Sequence, residues 1–203
     1  MNCTKLFVVV IAGSLLAACE SGDINITPTT VDNSVDNSTG GGGGGGEDDI
    51  CASYVRDGAA VQGSADGNGN CVYDNTFVGP KNNLQEDLLI PALPNGGAHI
   101  FTASLFVGDT FRTQADLEAA GITQGGDGPT LTIQAGATLA FQTNSDFMII
   151  NRGSRIIADG SPDAPITLTS VSDINGTVGP EDVQQWGGVV INGFAVSNKC
   201  SYV

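Results

Sequence analysis

The chain has 203 residues, with 22 acidic against seven basic side chains and a formal net charge of −15. That balance excludes a nucleic-acid binder, whose affinity rests on a basic face against phosphate, and argues against adhesion to an anionic lipid surface. Solubility accounts for the acidity more simply than dedicated metal sites do; no cofactor is expected, with calcium as the one alternative.

Lys5 gives a positive start, Leu6 to Leu16 an apolar run, and Ala17 and Ala18 a small-residue end. This is the layout of a secretory signal peptide over residues 1–18. Its apolar core is about half of the ~20 residues that cross a bilayer. Leu16-Ala17-Ala18-Cys19 resembles the lipobox of bacterial lipoproteins. The resemblance implies a diacylglyceryl thioether on Cys19 and cleavage before it. It also implies two or three acyl chains, where a single one anchors only marginally. Glu20 follows the cysteine; by the sorting rule of enteric lipoproteins, a residue other than Asp there directs the protein to the outer membrane. The expected location is therefore the outer membrane, lipid-anchored, with the head at the cell surface or on the periplasmic face. Cleavage removes Lys5 and no acid, so the mature chain keeps six basic against 22 acidic residues.

Residues 19–50 read as the lipidated cysteine followed by a disordered tether. Ser, Thr, Asn, Asp and Gly dominate, too little apolar surface to offset the entropy of ordering. Gly40 to Gly46 is an unbroken glycine run, and about 31 flexible residues have an r.m.s. reach of roughly 30 Å. A phosphate-binding loop is excluded, since no Lys-Ser/Thr pair follows and no strand precedes.

Cys3 leaves with the signal, so Cys51, Cys71 and Cys200 remain beside Cys19. In an exported protein Cys51 and Cys71 form the expected disulfide, closing a loop of about 20 residues worth roughly 3 kcal/mol. Cys200 is odd, which points to an intermolecular bond, a free thiol or a missing partner. Residues 51–128 read as a loop-rich β region with an N-terminal cap. Within it, Asp66-Gly67-Asn68-Gly69-Asn70 has the rhythm of a calcium loop, but Cys71 and Phe77 stand where an EF-hand needs Gly and Glu. A tight turn before a disulfide is the better reading. Residues 98 to 111 read as strand. Thr113 to Asp116 resembles a capping box with Asp in place of Glu, opening one short helix, Asp116 to Ala120, which Gly121 stops. It is the only helix expected after the tether.

From Pro129 the pattern becomes strand, glycine, strand. Leu131 to Leu139 and Met148 to Ile156 align without a gap at a shift of 17 residues, with Gly136 on Gly153. Further strands follow at Ile166–Thr169 and Val189–Ile191. Short strands with a glycine corner and a period near 20 residues predict stacked β-coils over 129–203, against an antiparallel sandwich with hairpins every 8 to 12 residues. Ile133, Ile150, Leu168 and Ile191 are then expected in one inward column, with Gly136 and Gly153 at corners.

The segments Leu131–Gly136, Arg152–Gly160, Asp163–Ser170 and Trp186–Gly193 resemble a run in bacterial cell-surface lipoproteins with a right-handed parallel β-helix head. The resemblance covers 100 to 200 loosely and 129 to 200 well, and it specifies a fold and no reaction. The expected class is all-β, a short or incomplete right-handed parallel β-helix preceded by a disordered tether and one short helix. Family members continue past the equivalent of Asn198-Lys199-Cys200. The resemblance thus implies further coils, and a partner for Cys200 lost with them.

No catalytic set is legible. His99 is the lone histidine, and a single His beside a strand is more often structural than catalytic. No zinc-ligand spacing is present, and no two acids are paired by a motif as a glycosidase requires. By analogy with β-helix lyases similar to pectate lyase, Asp146, Asp159, Asp163 and Asp173 near corners, with Arg152 and Arg155, are candidates for a groove that takes acidic sugar. A solvated turn explains the two arginines more simply. Trp186 is a candidate sugar platform or a coil-corner packer. The expectation is a non-enzymatic surface binding or scaffold module, with polysaccharide or a surface protein as partner beside the membrane. The alternatives are a lyase-like enzyme or a fragment of a longer lipoprotein.

Overall fold

The computed structural model describes residues 50–194. The expected signal peptide, Cys19, the glycine run and Cys200 lie outside them.

The described chain begins with an antiparallel cap. Strands β1 (Ser53–Arg56) and β2 (Ala59–Gln62) form a hairpin. Asp57 and Gly58 turn it at φ 53° and 78°, the two positive-φ positions that a tight two-residue hairpin demands. Strand β3 (Ser64–Ala65) pairs antiparallel with β4 (Cys71–Tyr73). Between them the Asp66 carboxylate closes its own loop, accepting from the backbone N–H of Asn68 (2.7 Å) and Asn70 (3.1 Å) and from Asn70 Nδ2 (2.8 Å). The Asn70 side chain is the main reason that Asp66 sits below the ordinary carboxylate range. The residues with a calcium-loop rhythm thus make a self-satisfied turn. Cys51 and Cys71 are joined by a disulfide, which ties the first described residues to β4.

From β4 onward pairing is parallel. Nine further strands follow: β5 (Leu88–Ile90), β6 (Ala98–Phe101), β7 (Leu105–Val107), β8 (Thr130–Ile133), β9 (Thr138–Phe141), β10 (Met148–Ile150), β11 (Arg155–Ala158), β12 (Thr167–Ser170) and β13 (Val189–Ile191). They sort into three sheets, β5-β8-β11, β3-β4-β6-β9-β12 and β7-β10-β13. From β5 onward each sheet takes every third strand of the chain. The fold is therefore an all-β parallel β-helix with three strands per coil. Alternate residues point inward: Leu88, Ile90, Leu131, Ile133, Leu105, Val107, Met148 and Ile150 are all buried.

Three expectations need correcting. Ile133, Ile150, Leu168 and Ile191 do not share a column. Ile133 lies between Ile90 and Ala158, Ile150 between Val107 and Ile191, and Leu168 beside Leu139. The 17-residue likeness relates β8–Gly136–β9 to β10–Gly153–β11, which are successive pairs of faces along the chain and not stacked coils. True coil neighbours are 25 residues apart at Leu131 and Ile156 but 43 apart at Leu105 and Met148. Residues 98–111 hold two strands and a corner, not one strand. Finally, helix α1 (Gln114–Ala119) is joined by a one-turn helix α2 (Val171–Ile174).

Helix α1 has the expected Thr113 cap. Its Oγ1 accepts from the Asp116 N–H at 3.1 Å and the Asp116 carboxylate accepts from the Thr113 N–H at 3.0 Å. Asp completes the box in place of Glu. The corner at Gly153 has φ +90°, and a Cβ there would meet Ile122 Cγ2 at 2.3 Å. Glycine is required on both counts. Gly136 has φ +84°, but a Cβ there would make only ordinary contacts with Ala164 and Ala92 at 3.6 and 3.7 Å, so only its backbone demands glycine.

Aromatic rings run along the sheet that holds β4, β6 and β9. Tyr73 stacks on Phe101 (4.9 Å) and Phe101 on Phe141 (5.3 Å). The next residue in register is Ser170. Trp186, from the loop after α2, stacks on Phe141 at 5.0 Å and 7° and continues the column there. At the far end, among the described residues, no strand pairs with the outer edges of β11, β12 or β13. Val189, Val190 and Ile191 are correspondingly exposed.

Candidate functional site

His99 is fully buried on β6. Its Nε2 donates to the Pro91 carbonyl at 2.7 Å, which leaves Nδ1 to accept from the Tyr73 hydroxyl at 2.7 Å. The same hydroxyl accepts from the Ala52 N–H at 2.9 Å. Burial pulls His99 below its ordinary value and pushes the Tyr73 hydroxyl well above its own. The imidazole is neutral, engaged at both nitrogens and shut away from solvent, a structural link between cap and coil.

Arg152 follows β10 at the corner leading to β11, and its Nη2 donates to the Phe111 carbonyl. Arg155 opens β11, is exposed, and donates to the Gly125 carbonyl at 3.4 Å. Both arginines thus hold down the 108–129 excursion that carries α1. Trp186 offers one ring face to Phe141. The four candidate acids are not gathered. Asp146 accepts from Thr143, Asp173 from Thr169, and Asp159 and Asp163 are exposed between β11 and β12. Among the described residues no three His, Cys, Asp or Glu side chains are close enough to hold a metal ion.

The structure instead forms clefts at the corner between the β7-β10-β13 and β5-β8-β11 sheets. The central cleft, about 460 Å³, is lined by Glu86, Asp87, Asp109, Asp127 and Arg152 over a floor of Gly108 and Ser154. A second, about 370 Å³, shares Gln85, Glu86 and Asp109 with it and runs to Arg56 and Lys81. A third, about 430 Å³, shares Phe111 and Arg152 and runs to Asn192 and Gly193. The three clefts share wall residues and follow one another along the stacking direction as a segmented groove.

Its polar groups differ in how far they are committed. Asp127 caps its own turn, accepting from the Thr123 N–H (2.8 Å), the Thr123 hydroxyl (2.8 Å) and the Gln124 N–H (3.0 Å). The Thr123 backbone bond leads in holding its carboxyl low. Asp109 accepts from Gln85 at one oxygen, and Asp87 from the Thr130 N–H at one oxygen. Glu86 is exposed. Arg56 and Arg152 donate to backbone carbonyls, and among the described residues neither forms an ion pair with the groove's acids. Two buried side-chain atoms among the described residues lack a hydrogen-bond partner, Asn83 Oδ1 and Ser154 Oγ. Both residues line this groove. Such a wall can accept hydrogen bonds from hydroxyl or amine groups along an extended molecule.

With that geometry in place, comparison with known proteins adds one finding. Residues 110–202 match the family model of the pectate-lyase-like β-helix domain. The match begins within the excursion that carries α1 and covers the later coils. No curated protein and no solved structure matches the chain.

Of the groove residues, Arg152 was legible in the sequence as a candidate. Glu86, Asp109 and Asn83 were not, because coil stacking alone brings Glu86 and Asp109 beside Arg152 and Asn83 onto the Gly108 carbonyl.

Proposed function

We propose that this chain is a cell-envelope lipoprotein, anchored in the outer membrane through lipidated Cys19, whose β-helix head is a non-enzymatic module that holds polysaccharide. The observation that carries the reading is the pectate-lyase-like β-helix match on a head with a polar groove along its stacking direction. The Leu16–Cys19 resemblance supports the anchor, and the glycine-rich tether supplies reach from it. The committed state of His99 favours holding over turning over, since general-base chemistry needs a group within reach of a substrate proton.

The anchor is tested by mass spectrometry of the N-terminal peptide from membranes, with Cys19→Ser as comparison. Acyl-modified Cys19, and release of the variant into the soluble fraction, are expected; an unmodified N-terminus on a membrane-bound protein would refute it. Binding is tested by retention of the mature protein on a panel of immobilised polysaccharides, with and without calcium. Retention on at least one, without release of unsaturated or reducing ends, is expected. Absence of retention across a broad panel removes the binding reading. Release of unsaturated ends, abolished by Arg152→Ala, replaces it with a lyase.

A further inference from the structure

We infer that the groove along the corner between the β7-β10-β13 and β5-β8-β11 sheets is the saccharide site, and that it takes an extended neutral or amine-bearing oligosaccharide in preference to a uronic-acid polymer. This assignment rests on the polysaccharide reading and deepens it.

The first argument is shape. Leu84, Val107, Ile150 and Ile191 stack through successive pairings on one face. The groove follows that stack from Asn83 in one cleft to Asn192 in another. Three strand spacings of about 4.8 Å give roughly 14 Å of length, with the cleft beside the β1–β2 hairpin adding more at one end. Three clefts joined by shared walls suit a chain molecule better than a compact one.

The second argument is the state of the wall. A buried polar atom without a partner carries a desolvation cost, and native structures hold few of them. Asn83 Oδ1 and Ser154 Oγ both stand in this groove. Asn83 Oδ1 can only accept, and Ser154 can donate or accept. Asn83 is oriented by its own Nδ2, which donates to the Gly108 carbonyl at 3.1 Å. Both unpartnered atoms are shut away beneath the wall, and Ser154 Oγ sits so close over residue 108 that only glycine fits there. A Cβ there would meet Ser154 Oγ at 1.9 Å.

The third argument is charge. The central cleft sets Glu86, Asp87, Asp109 and Asp127 against Arg152 alone. Arg152 spends a donor on the Phe111 carbonyl, and among the described residues no ion pair joins it to those acids. In the central cleft a uronate would enter against like charge, which is how a site rejects the wrong partner, while Arg56 and Lys81 stand only in the neighbouring cleft. Hydroxyls and ammonium groups meet acceptors instead. Glu86, Asp87 and Asp109 are the acids with capacity left, Asp87 and Asp109 each being engaged at one oxygen.

The test is calorimetric titration of the full mature chain with three probes. They are a neutral glucan oligomer, an amino-sugar oligomer with free amines, and an oligogalacturonide. The isosteric variants Glu86→Gln and Asp109→Asn keep shape and fold. Asp163→Asn, at the corner between β11 and β12, is the control. Expected are binding of the neutral or amino-sugar probe, at least tenfold weaker binding of the oligogalacturonide, and at least tenfold loss in the double groove variant with none in the control. Saccharide binding that ignores the groove variants overturns the site and leaves the polysaccharide reading standing. Groove-dependent binding strongest for the oligogalacturonide overturns the ligand class. Failure of every probe, together with failure of the polysaccharide panel, overturns both.

Discussion

Phe141 is the point where the aromatic column passes from the coils to an irregular loop, and its removal tests whether that column is continuous. The side chain is fully buried, with Phe101 on one side and Trp186 on the other at 5.3 and 5.0 Å. Truncating a buried Phe to Ala costs about 3–5 kcal/mol, and each stacked pair adds about 0.5–1.5 kcal/mol beyond area. Phe141→Ala should therefore cost about 4–8 kcal/mol, a large part of the ~5–15 kcal/mol that holds a typical domain together. Phe141→Leu keeps most of the volume and should lose mainly the two ring contacts, about 1–3 kcal/mol. With a urea slope of about 2 kcal/mol/M, the leucine variant should unfold roughly 0.5–1.5 M earlier. Far-ultraviolet circular dichroism reads the coils, and the fluorescence of Trp186, the single tryptophan, reads the loop. The decisive measurement is a double-mutant cycle with Trp186→Leu, read by circular dichroism. Coupling of about 0.5–1.5 kcal/mol is expected. Additivity within about 0.3 kcal/mol would refute the stacking argument.

Reduction of the Cys51–Cys71 disulfide, with a sequence separation of 20, should cost about 3 kcal/mol on the chain-entropy account, read as a fall in the urea midpoint. His99 makes stability depend on pH. Its folded-state value is depressed by burial, so the unfolded chain binds the extra proton. Stability should fall as pH drops below about 6.5 and stop falling, as far as this group is concerned, below its folded value. His99→Gln should flatten that part of the profile. Gly153→Ala and Gly121→Ala separate backbone strain from space. Both positions have positive φ, but only Gly153 would drive a Cβ into Ile122. Gly121→Ala should cost about 1 kcal/mol and Gly153→Ala about 1–3 kcal/mol more; equal melting shifts would show that Ile122 gives way freely.

The strand–glycine–strand pattern, the Thr113 cap and the Cys51–Cys71 pair could all be read from residues because each is local. Which face a strand occupies could not. Alternation in Leu131-Thr132-Ile133 says which side chains point inward, and says the same for every face of a three-sided coil. The true repeat is masked by inserts, since the turn after Val107 carries α1 and the loop after Ser170 carries α2 and Trp186. The eye therefore finds the 17-residue likeness between faces, where no insert intervenes, before it finds the stacking of Leu131 on Ile156. The groove was hidden for the same reason. Glu86 and Asp109 meet Arg152 through register, and register is set by pairing across long separations.

The antiparallel cap has a consequence for the order of events during folding. The β1–β2 hairpin and the β3–β4 turn are closed by near neighbours and fastened by one covalent link. Each later strand must instead find an edge that already exists. A stack of this kind behaves as a one-dimensional array, in which growth from a formed unit is easier than a fresh start. The cap supplies such a seed at one end, and the outer edges of β11 to β13 are the last to be laid down. Native-state hydrogen exchange should record that history as a gradient, with amides of β4 and β6 slowest to exchange and those of β13 fastest.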